Sequence, residues 1–280
     1  MAQAENAKKL DYTPVTYDDQ YILMVNQLKK YFPIKGGLMS QTVGHVKAVD
    51  GVTFNLKRGH TMGLVGESGC GKSTIAGILA AKNRGYTGRI TLGGVPLSEV
   101  AETDLMKHVV LVRHNSYLFK GTVEENLRMA KPDATKEEME AVLQKVNLLG
   151  FLQTQNGLQT ELLEKAGNLS GGQCQRLVIA RALLRSDSAV YIFDEAASNI
   201  DVESEELIMN VIHELAKTKT VLLISHCLAN VVQSDQIYFL KNGTICERGT
   251  HAELMEQNGA YRHLYDSQMV LENYGKEGNA

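Results

Sequence analysis

A glycine-rich stretch in the first third of the chain constrains the fold more than any other feature. It reads Gly66-Glu67-Ser68-Gly69-Cys70-Gly71-Lys72-Ser73-Thr74. The stretch follows apolar residues 62–65 and precedes a helical pattern with Ile75, Ile78 and Leu79 on one face. A complete G-x-x-x-x-G-K-[ST] between a strand and a helix is a phosphate-binding loop, because its backbone N–H groups wrap a phosphate at the positive end of the helix. The sequence therefore predicts a nucleotide site at the end of this strand.

Three side chains of the loop carry specific expectations. Lys72 would place its positive charge on the outer phosphates, and Ser73 would place its hydroxyl on a Mg²⁺ ion that bridges them, because Mg²⁺ prefers oxygen ligands. Cys70 is open to two interpretations: a thiol made reactive by the helix start and Lys72, or a buried inert thiol.

Composition sets bounds on the fold and on the function. With 280 residues, 44% of them hydrophobic, the chain can bury a sizeable core as one domain or two lobes. The net charge of −3, without a Lys/Arg run, argues against nucleic-acid binding. The four cysteines are scattered, so neither a zinc site nor a disulfide framework is indicated. Without a leader or a run of about 18 apolar residues, we expect a soluble chain whose membrane role would be through partners.

The order of patterns predicts a parallel sheet with additions. The apolar residues 21–28 predict a strand that ends at residues 29–33. Residues 35–45 have no sustained hydrophobic period. Residues 52–56 alternate between apolar and polar side chains, as in a half-buried strand. These segments predict antiparallel strands beside the parallel sheet. A hairpin is predicted at residues 89–97. Residues 121–152 are mostly helical, with a capping box formed by Thr135 and Glu138. Strands and helices then alternate over residues 170–224, before a hairpin at Asn242-Gly243 and two amphipathic helices.

A second glycine-rich motif points to a dimer. Ser170-Gly171-Gly172-Gln173 stands at a predicted helix start, where free N–H groups and a serine hydroxyl make another anion site. One chain cannot fold this site onto the nucleotide in its own phosphate loop. Because residues 169–184, LSGGQCQRLVIARALL, resemble the signature motif of ABC-type ATPases, the resemblance implies that ATP lies between the phosphate loop of one subunit and the signature of the other.

The same resemblance assigns further residues. Residues 190–195, VYIFDE, resemble Walker B, which implies that Asp194 holds Mg²⁺ and that Glu195 polarises the attacking water as general base. His226, after an apolar strand, resembles the switch histidine that contacts the γ-phosphate. Residues 198–201 resemble the D-loop, which implies that Asp201 lies across the dimer interface.

Two positions are less regular. The aromatic residue expected to stack on adenine is Phe32 or Tyr31, and either ring could instead fill the core. In the Q-loop, His114 stands where the family usually has glutamine. A ring nitrogen of His114 would still reach Mg²⁺ or water, but imidazole is a poorer Mg²⁺ ligand than an amide oxygen, so we expect slower hydrolysis or altered coupling.

The resemblance has two parts. Residues 28–59, LKKYFPIKGGLMSQTVGHVKAVDGVTFNLKRG, resemble the ATPase subunits of oligopeptide and dipeptide importers, as does the whole of residues 21–73. Residues 74–272 resemble exporter-type ATPase domains, for example in LFKGTVEENLRMAKPDAT and GTHAELMEQNGAY. A hybrid joined near the phosphate loop, natural or engineered, explains both parts.

The fold expected is α/β: a P-loop NTPase of ABC type, with a parallel sheet core, an antiparallel β subdomain and a helical subdomain at about residues 121–184. The ATPase domain would span residues 21–272, with tails at 1–20 and 273–280. The resemblance implies an ATP-hydrolysing transporter subunit on the cytoplasmic face of the membrane, using ATP and Mg²⁺ and carrying peptides or other small solutes. Its partners would be transmembrane permease subunits and a second ATPase subunit, identical or not. The alternatives are a non-transport ABC-type ATPase and a nucleotide-binding module with weak hydrolysis.

Overall fold

The structure is a computed structural model that describes residues 18–36 and 41–277, with side chains to residue 270. The predicted N-terminal tail lies outside the described residues except for residues 18–20. The predicted C-terminal tail begins too early, because the last helix continues as far as Glu277. No proline interrupts the helical backbone there.

A six-stranded sheet carries the nucleotide-binding loop. Its strand order is β12-β11-β3-β10-β9-β6, and all neighbours are parallel except β11 and β12. The strands are β3 Thr61–Gly66, β6 Val109–Arg113, β9 Val190–Asp194, β10 Thr220–Ile224, β11 Gln236–Lys241 and β12 Thr244–Gly249. The predicted hairpin at Asn242-Gly243 is confirmed as the turn between β11 and β12. The parallel arrangement brings the carboxyl ends of β3, β6, β9 and β10 to one edge.

A separate antiparallel sheet has the order β2-β1-β4-β5. Its strands are β1 Tyr21–Gly36, β2 Gln41–Lys57, β4 Thr87–Leu92 and β5 Val95–Pro96. The predicted end of the first strand near residue 28 is wrong, because β1 and β2 pair as far as Gly36 and Gln41. The segment predicted to be irregular at residues 35–45 is likewise strand at residues 35–36 and 41–45, and its residues 37–40 lie outside the described residues. Register shifts along this pair disturb the alternation of side chains, so the pattern alone did not show the strands.

The helices follow the predicted order. They are α1 Lys72–Leu79, α2 Glu102–His108, α3 Val123–Arg128, α4 Lys136–Lys145, α5 Leu149–Gln153, α6 Gly171–Leu183, α7 Val202–Ala216, α8 His251–Gln257 and α9 Ala260–Glu277. Short 3₁₀ helices occupy Gly157–Gln159, Glu164–Ala166 and Leu228–Val231. Within residues 18–36 and 41–277, none of the helices is both long and apolar enough to cross a membrane.

The region after β6 is mostly helical, as predicted. It contains α3 to α6 and a two-stranded ladder of β7 Gly121–Thr122 with β8 Glu161–Leu162. The capping box of Thr135 and Glu138 is confirmed at the start of α4. The apolar face of α4 is buried, which fixes this helix against the rest of the core.

The large sheet separates two apolar cores. Along β3, Met62 and Leu64 belong to one core, whereas Val65 belongs to the other. The first core also contains residues of the antiparallel sheet and α1, and the second contains residues of α4, α6 and α7. Because both faces of the central strands β9 and β10 are covered, these strands are almost wholly apolar between Val190 and Phe193 and between Val221 and Ile224, and the carboxylate of Asp194 lies at a strand end.

Candidate functional site

A cavity of about 440 Å³ opens at the carboxyl edge of the large sheet. Its size is in the range of small-molecule sites. Its walls are formed by Val46, Lys47, Ala48, Gly69, Cys70, Gly71, Lys72, Ser73, Thr74, Glu195, Asn242 and Gly243. The phosphate loop therefore forms the floor, β2 and the β11–β12 turn form one side, and the end of β9 forms the other.

Two glycines of the loop are required by geometry. Gly66 has a φ of 144°, and a Cβ there would lie 2.0 Å from the carbonyl oxygen of Leu240. Gly71 has a φ of 109°, and a Cβ there would lie 2.1 Å from the carbonyl oxygen of Ala48. The loop can approach the neighbouring strands this closely only because both positions lack a side chain.

The lysine of the loop is held by the loop itself. Lys72 is 4% exposed, and its Nζ donates to the carbonyl oxygens of Gly66 at 2.6 Å and Glu67 at 3.1 Å. Its Nζ also lies 3.7 Å from the Sγ of Cys70, which is 6% exposed. The amine is thus positioned at the floor of the cavity, and the burial of Cys70 favours the inert of the two interpretations.

A hydroxyl and a carboxylate meet beside the loop. Ser73 Oγ donates to Asp194 Oδ1 at 2.9 Å, and Asp194 is 3% exposed. Burial raises the pKa of Asp194, while the bond from Ser73 and the charges of Arg113 and His114 lower it. Ser73 and Asp194 lie together as predicted, although their role as ligands stays a prediction.

This pair fits a Mg²⁺ ion. Both side chains offer oxygen donors, and Arg113 Nε already lies 3.3 Å from Asp194 Oδ2, so the buried carboxylate faces a cation. In residues 18–36 and 41–277, no group of three or more His, Cys, Asp and Glu side chains is able to hold a metal. A Mg²⁺ ion here would therefore depend on phosphate oxygens and water for most of its ligands.

Glu195 lies directly after β9 and has a strained backbone. Its φ is 54°, which is uncommon for a residue with a side chain, and it is held by a bond of its N–H to the carbonyl oxygen of Ile224 at 2.9 Å. Its side chain lines the nucleotide cavity and also a smaller one of about 130 Å³. His226 Nδ1 is 3.7 Å from Glu195 Oε1. The structure thus brings these two predicted residues together.

The signature motif lies elsewhere on the molecule. Ser170 caps α6 and forms a capping box with Gln173. A Cβ at Gly172 would lie 2.1 Å from Ser204 Oγ, so α6 packs closely on the start of α7. Asp201 caps α7, and the bonds from Ser204 lower the pKa of Asp201. None of these residues, nor Gly171, lines the cavity at the phosphate loop.

The two candidate aromatic residues differ in their surroundings. Tyr31 donates its hydroxyl hydrogen to Asp50, whereas Phe32 is 40% exposed and pairs across the strands with Val46. Val46 lines the cavity, but neither aromatic ring does. Phe32 is therefore the better placed of the two for an adenine, and that assignment stays a prediction.

His114 is exposed after the end of β6. It directly follows Arg113, which the parallel register places opposite Asp194. The structure does not bring it into the wall of the cavity. Its predicted contact with Mg²⁺ or water remains a prediction.

Three residues near the site were missed from the sequence. Arg113 pairs with Asp194, Gln175 Nε2 donates to the carbonyl oxygen of Arg113 at 3.2 Å, and Gln268 Nε2 donates to that of His226 at 2.7 Å. The parallel register places Arg113 opposite Asp194, and that register depends on a strand order that the sequence does not state.

Comparison with known proteins adds to this geometry. Residues 49–198 match the protein family described as ABC transporter. The chain belongs to the ABC transporter family. As an ATP-binding domain of that family it hydrolyses ATP, and such domains use ATP with Mg²⁺.

Several ABC transporter relatives share much of the chain. An uncharacterized ABC transporter ATP-binding protein of Haemophilus influenzae is 46% identical over 233 residues, which cover 83% of this chain and 41% of that protein. An ATP-dependent lipid A-core flippase of Vibrio vulnificus is 41% identical over 220 residues, which cover 78% of this chain and 38% of the flippase. The chain thus spans about 40% of the length of these relatives.

A solved structure agrees with the fold. A bacterial Atm1-family ABC exporter with ATP bound is similar with a TM-score of 0.79 and 27% identity, over 92% of this chain and 44% of the exporter chain. The predicted ABC-type ATPase fold and the exporter-type resemblance are confirmed. The importer-type resemblance of residues 21–73 stays a prediction.

Proposed function

We propose that the chain is the ATP-hydrolysing domain of an exporter-type ABC transporter and works at the cytoplasmic face of a membrane as one half of an ATP-sandwich dimer. The observation that carries the proposal is the meeting of Ser73, Asp194, Glu195 and His226 beside the phosphate loop. These side chains supply a metal-binding carboxylate, a base and an imidazole at one sheet edge.

The first part of the mechanism is phosphate binding. The N–H groups of the loop bind the phosphates, and the Nζ of Lys72 moves from the carbonyl oxygens of Gly66 and Glu67 to the outer phosphates. Ser73 and Asp194 would hold a Mg²⁺ ion through their oxygen atoms, and such an ion would supply positive charge to offset the charge that develops on the phosphates.

The second part is proton transfer. Glu195 accepts a proton from the attacking water, and the strained backbone aims its carboxylate into the cavity. His226 contacts the γ-phosphate from the neighbouring strand end. Gln268 on α9 holds the backbone of His226 in place through its bond to the carbonyl oxygen.

The third part requires a second subunit. Ser170, Gly171, Gly172 and Gln173 offer an anion site at the start of α6, away from the chain's own phosphate loop. A second ATPase subunit, identical or not, would supply this site to each nucleotide, and Asp201 would lie at the interface. Closure of the dimer around two nucleotides would move the attached transmembrane permease segments.

Two cargo classes follow from the two parts of the resemblance. The flippase of Vibrio vulnificus is named for lipid A-core, which favours a lipid-like cargo. The importer-like residues 21–73 favour a peptide, and the matched relatives lend that class no support. We therefore place the lipid-like cargo first.

A nucleotide-binding module with weak hydrolysis is the second candidate. One observation favours it: His114 stands at the glutamine position of the Q-loop and directly follows Arg113, which pairs with Asp194 across β6 and β9. A non-transport ABC-type ATPase has no observation in its favour here.

Size-exclusion chromatography with light scattering tests the sandwich. Glu195→Gln with Mg·ATP is expected to be a dimer and to return to a monomer with Mg·ADP. Ser170→Arg in the same background places a bulky cation in the signature and is expected to stay a monomer. A Glu195→Gln protein that binds Mg·ATP as a monomer at all concentrations would contradict the proposal.

A further inference from the structure

A basic side chain lies against the carboxylate that the proposed function assigns to the metal. Arg113 is the last residue of β6, and the parallel pairing places it opposite Asp194 at the end of β9. Arg113 Nε is 3.3 Å from Asp194 Oδ2, while Ser73 Oγ donates to Oδ1 at 2.9 Å. Both oxygens of a carboxylate that is 3% exposed therefore have partners within the chain.

The position of Arg113 is fixed by its surroundings. The backbone N–H of Arg113 donates to Ser116 Oγ at 2.9 Å, and its backbone carbonyl oxygen accepts from Gln175 Nε2 at 3.2 Å. The far end of the guanidinium lies over α1, where a Cβ at Gly77 would come within 3.2 Å of Nη2. The buried Nε of Arg113 has no hydrogen-bond partner in the part of the chain that the structure describes. Its polar interaction is therefore the ion pair with Asp194.

Arg113 brings a positive charge to this carboxylate, because its side chain ends in a guanidinium. A buried carboxylate without a partner is costly, and Arg113 supplies a partner from within the chain. A divalent ion at the same carboxylate would face a like charge a few ångströms away.

From this geometry we infer that the guanidinium of Arg113 competes with Mg²⁺ for the carboxylate of Asp194. This competition sets the Mg²⁺ concentration at which the site binds the metal. The inference rests on the proposed function, because that function assigns Asp194 to the metal. Arg113 acts through Asp194 and is a positioning residue. Its charge opposes the metal but not the nucleotide, since phosphates attract a guanidinium.

The test is a Mg²⁺ titration of nucleotide binding, followed with a fluorescent non-hydrolysable ATP analogue in metal-buffered solution. Arg113→Gln is expected to lower the half-saturating Mg²⁺ concentration by about fivefold to tenfold, because it removes a close charge. Arg113→Lys keeps the charge and is expected to stay within about twofold of the parent protein. Affinity for the analogue without Mg²⁺ should not rise in Arg113→Gln.

A matched control removes a distant charge. Arg84 is exposed and pairs with Glu102 at 2.8 Å, away from the cavity, so Arg84→Gln should leave the Mg²⁺ titration unchanged. An unchanged or higher half-saturating Mg²⁺ concentration in Arg113→Gln would overturn the inference. Loss of analogue binding in the parent protein would instead overturn the proposed function.

A second measurement does not use Arg113→Gln, in case that variant does not fold. The ¹⁵N NMR signal of Arg113 Nε, assigned by its absence in Arg113→Lys, reports the ion pair with Asp194. The signal should shift when Mg²⁺ is added to the protein with the analogue bound. A signal that does not respond to Mg²⁺ would contradict the competition.

Discussion

At the scale of single residues, the proposed chemistry depends on Glu195. Its φ of 54° is a conformation that costs energy for any residue with a side chain, and the residue lines the cavity at the phosphate loop. His226 Nδ1 lies 3.7 Å from Glu195 Oε1, just after the end of β10. In the proposed mechanism this pair would supply a base and an imidazole to the reaction at the γ-phosphate.

His114 gives the first prediction at this scale. His114→Gln restores the residue that the family usually has, and an amide oxygen is the better ligand for Mg²⁺. We expect steady-state ATPase turnover to be preserved or raised. A complete loss of turnover in a folded, ATP-binding variant would contradict this interpretation of the Q-loop.

The adenine contact gives the second prediction. Phe32→Ala is expected to weaken ATP binding by about fivefold or more, because stacking of a base on an aromatic ring contributes about 1–3 kcal/mol. Tyr31→Phe keeps the ring and removes only the hydroxyl that donates a hydrogen bond to Asp50. This change should alter ATP affinity by less than about twofold. Isothermal titration with ATP checks both. The reverse order of effects would assign the stacking to Tyr31.

At the scale of elements, the phosphate loop is held between two strands. Gly71 packs on the carbonyl oxygen of Ala48 in β2, and Gly66 packs on that of Leu240 in β11. Gly69 has a φ of 78°, yet a Cβ there would have no atom within 4 Å. The loop therefore contains glycines that serve two purposes, close packing and backbone freedom.

A matched pair of substitutions separates these purposes. Gly69→Ala is expected to lower the free energy of unfolding by about 1–2 kcal/mol, because a residue with a side chain is strained in the left-handed backbone conformation. Gly71→Ala adds a clash with a backbone oxygen and should cost more than about 3 kcal/mol. Urea unfolding measures both. Equal losses would mean that the packing of the loop on β2 does not matter.

Some elements were predictable and others were not. The hairpin at Asn242-Gly243 and the capping box of Thr135 depend on neighbouring residues, so the sequence carries them directly. The pairing of β1 with β2 beyond residue 28 depends on contacts between strands and on register shifts, which override the local pattern. Arg113 was missed for the same reason, since only the strand order places it opposite Asp194.

At the scale of the whole molecule, the proposed site is incomplete in one chain. The signature at the start of α6 lies outside the cavity at the phosphate loop, so in the proposed dimer each nucleotide would contact residues of two subunits. This arrangement would couple nucleotide binding to association of the subunits. It is how a domain that only binds and hydrolyses ATP would drive a change of shape in a membrane partner.

Mixing inactive variants tests whether the site is shared. Lys72→Ala breaks the phosphate loop, and Ser170→Arg breaks the signature, so each protein alone should be inactive. A heterodimer of the two holds one intact site, because each chain keeps the half that the other has lost. An equal mixture should regain turnover, because only the mixed dimer holds an intact site; random pairing of the two chains would give about a quarter of the normal turnover. No recovery, despite dimers in the mixture, would mean that both sites must be intact or that the site is not shared.

Steady-state ATPase turnover of the parent chain beside Glu195→Gln and Glu203→Gln tests the central claim most directly. Glu203 is an exposed residue in the first turn of α7, away from the cavity, so its variant controls for loss of a carboxylate. We predict slow turnover in the parent and in Glu203→Gln. Glu195→Gln should fall by about 100-fold or more with ATP binding retained, because general-base catalysis contributes at least that factor. Turnover in Glu195→Gln equal to that of the parent would contradict the assignment of this site as the ATPase centre.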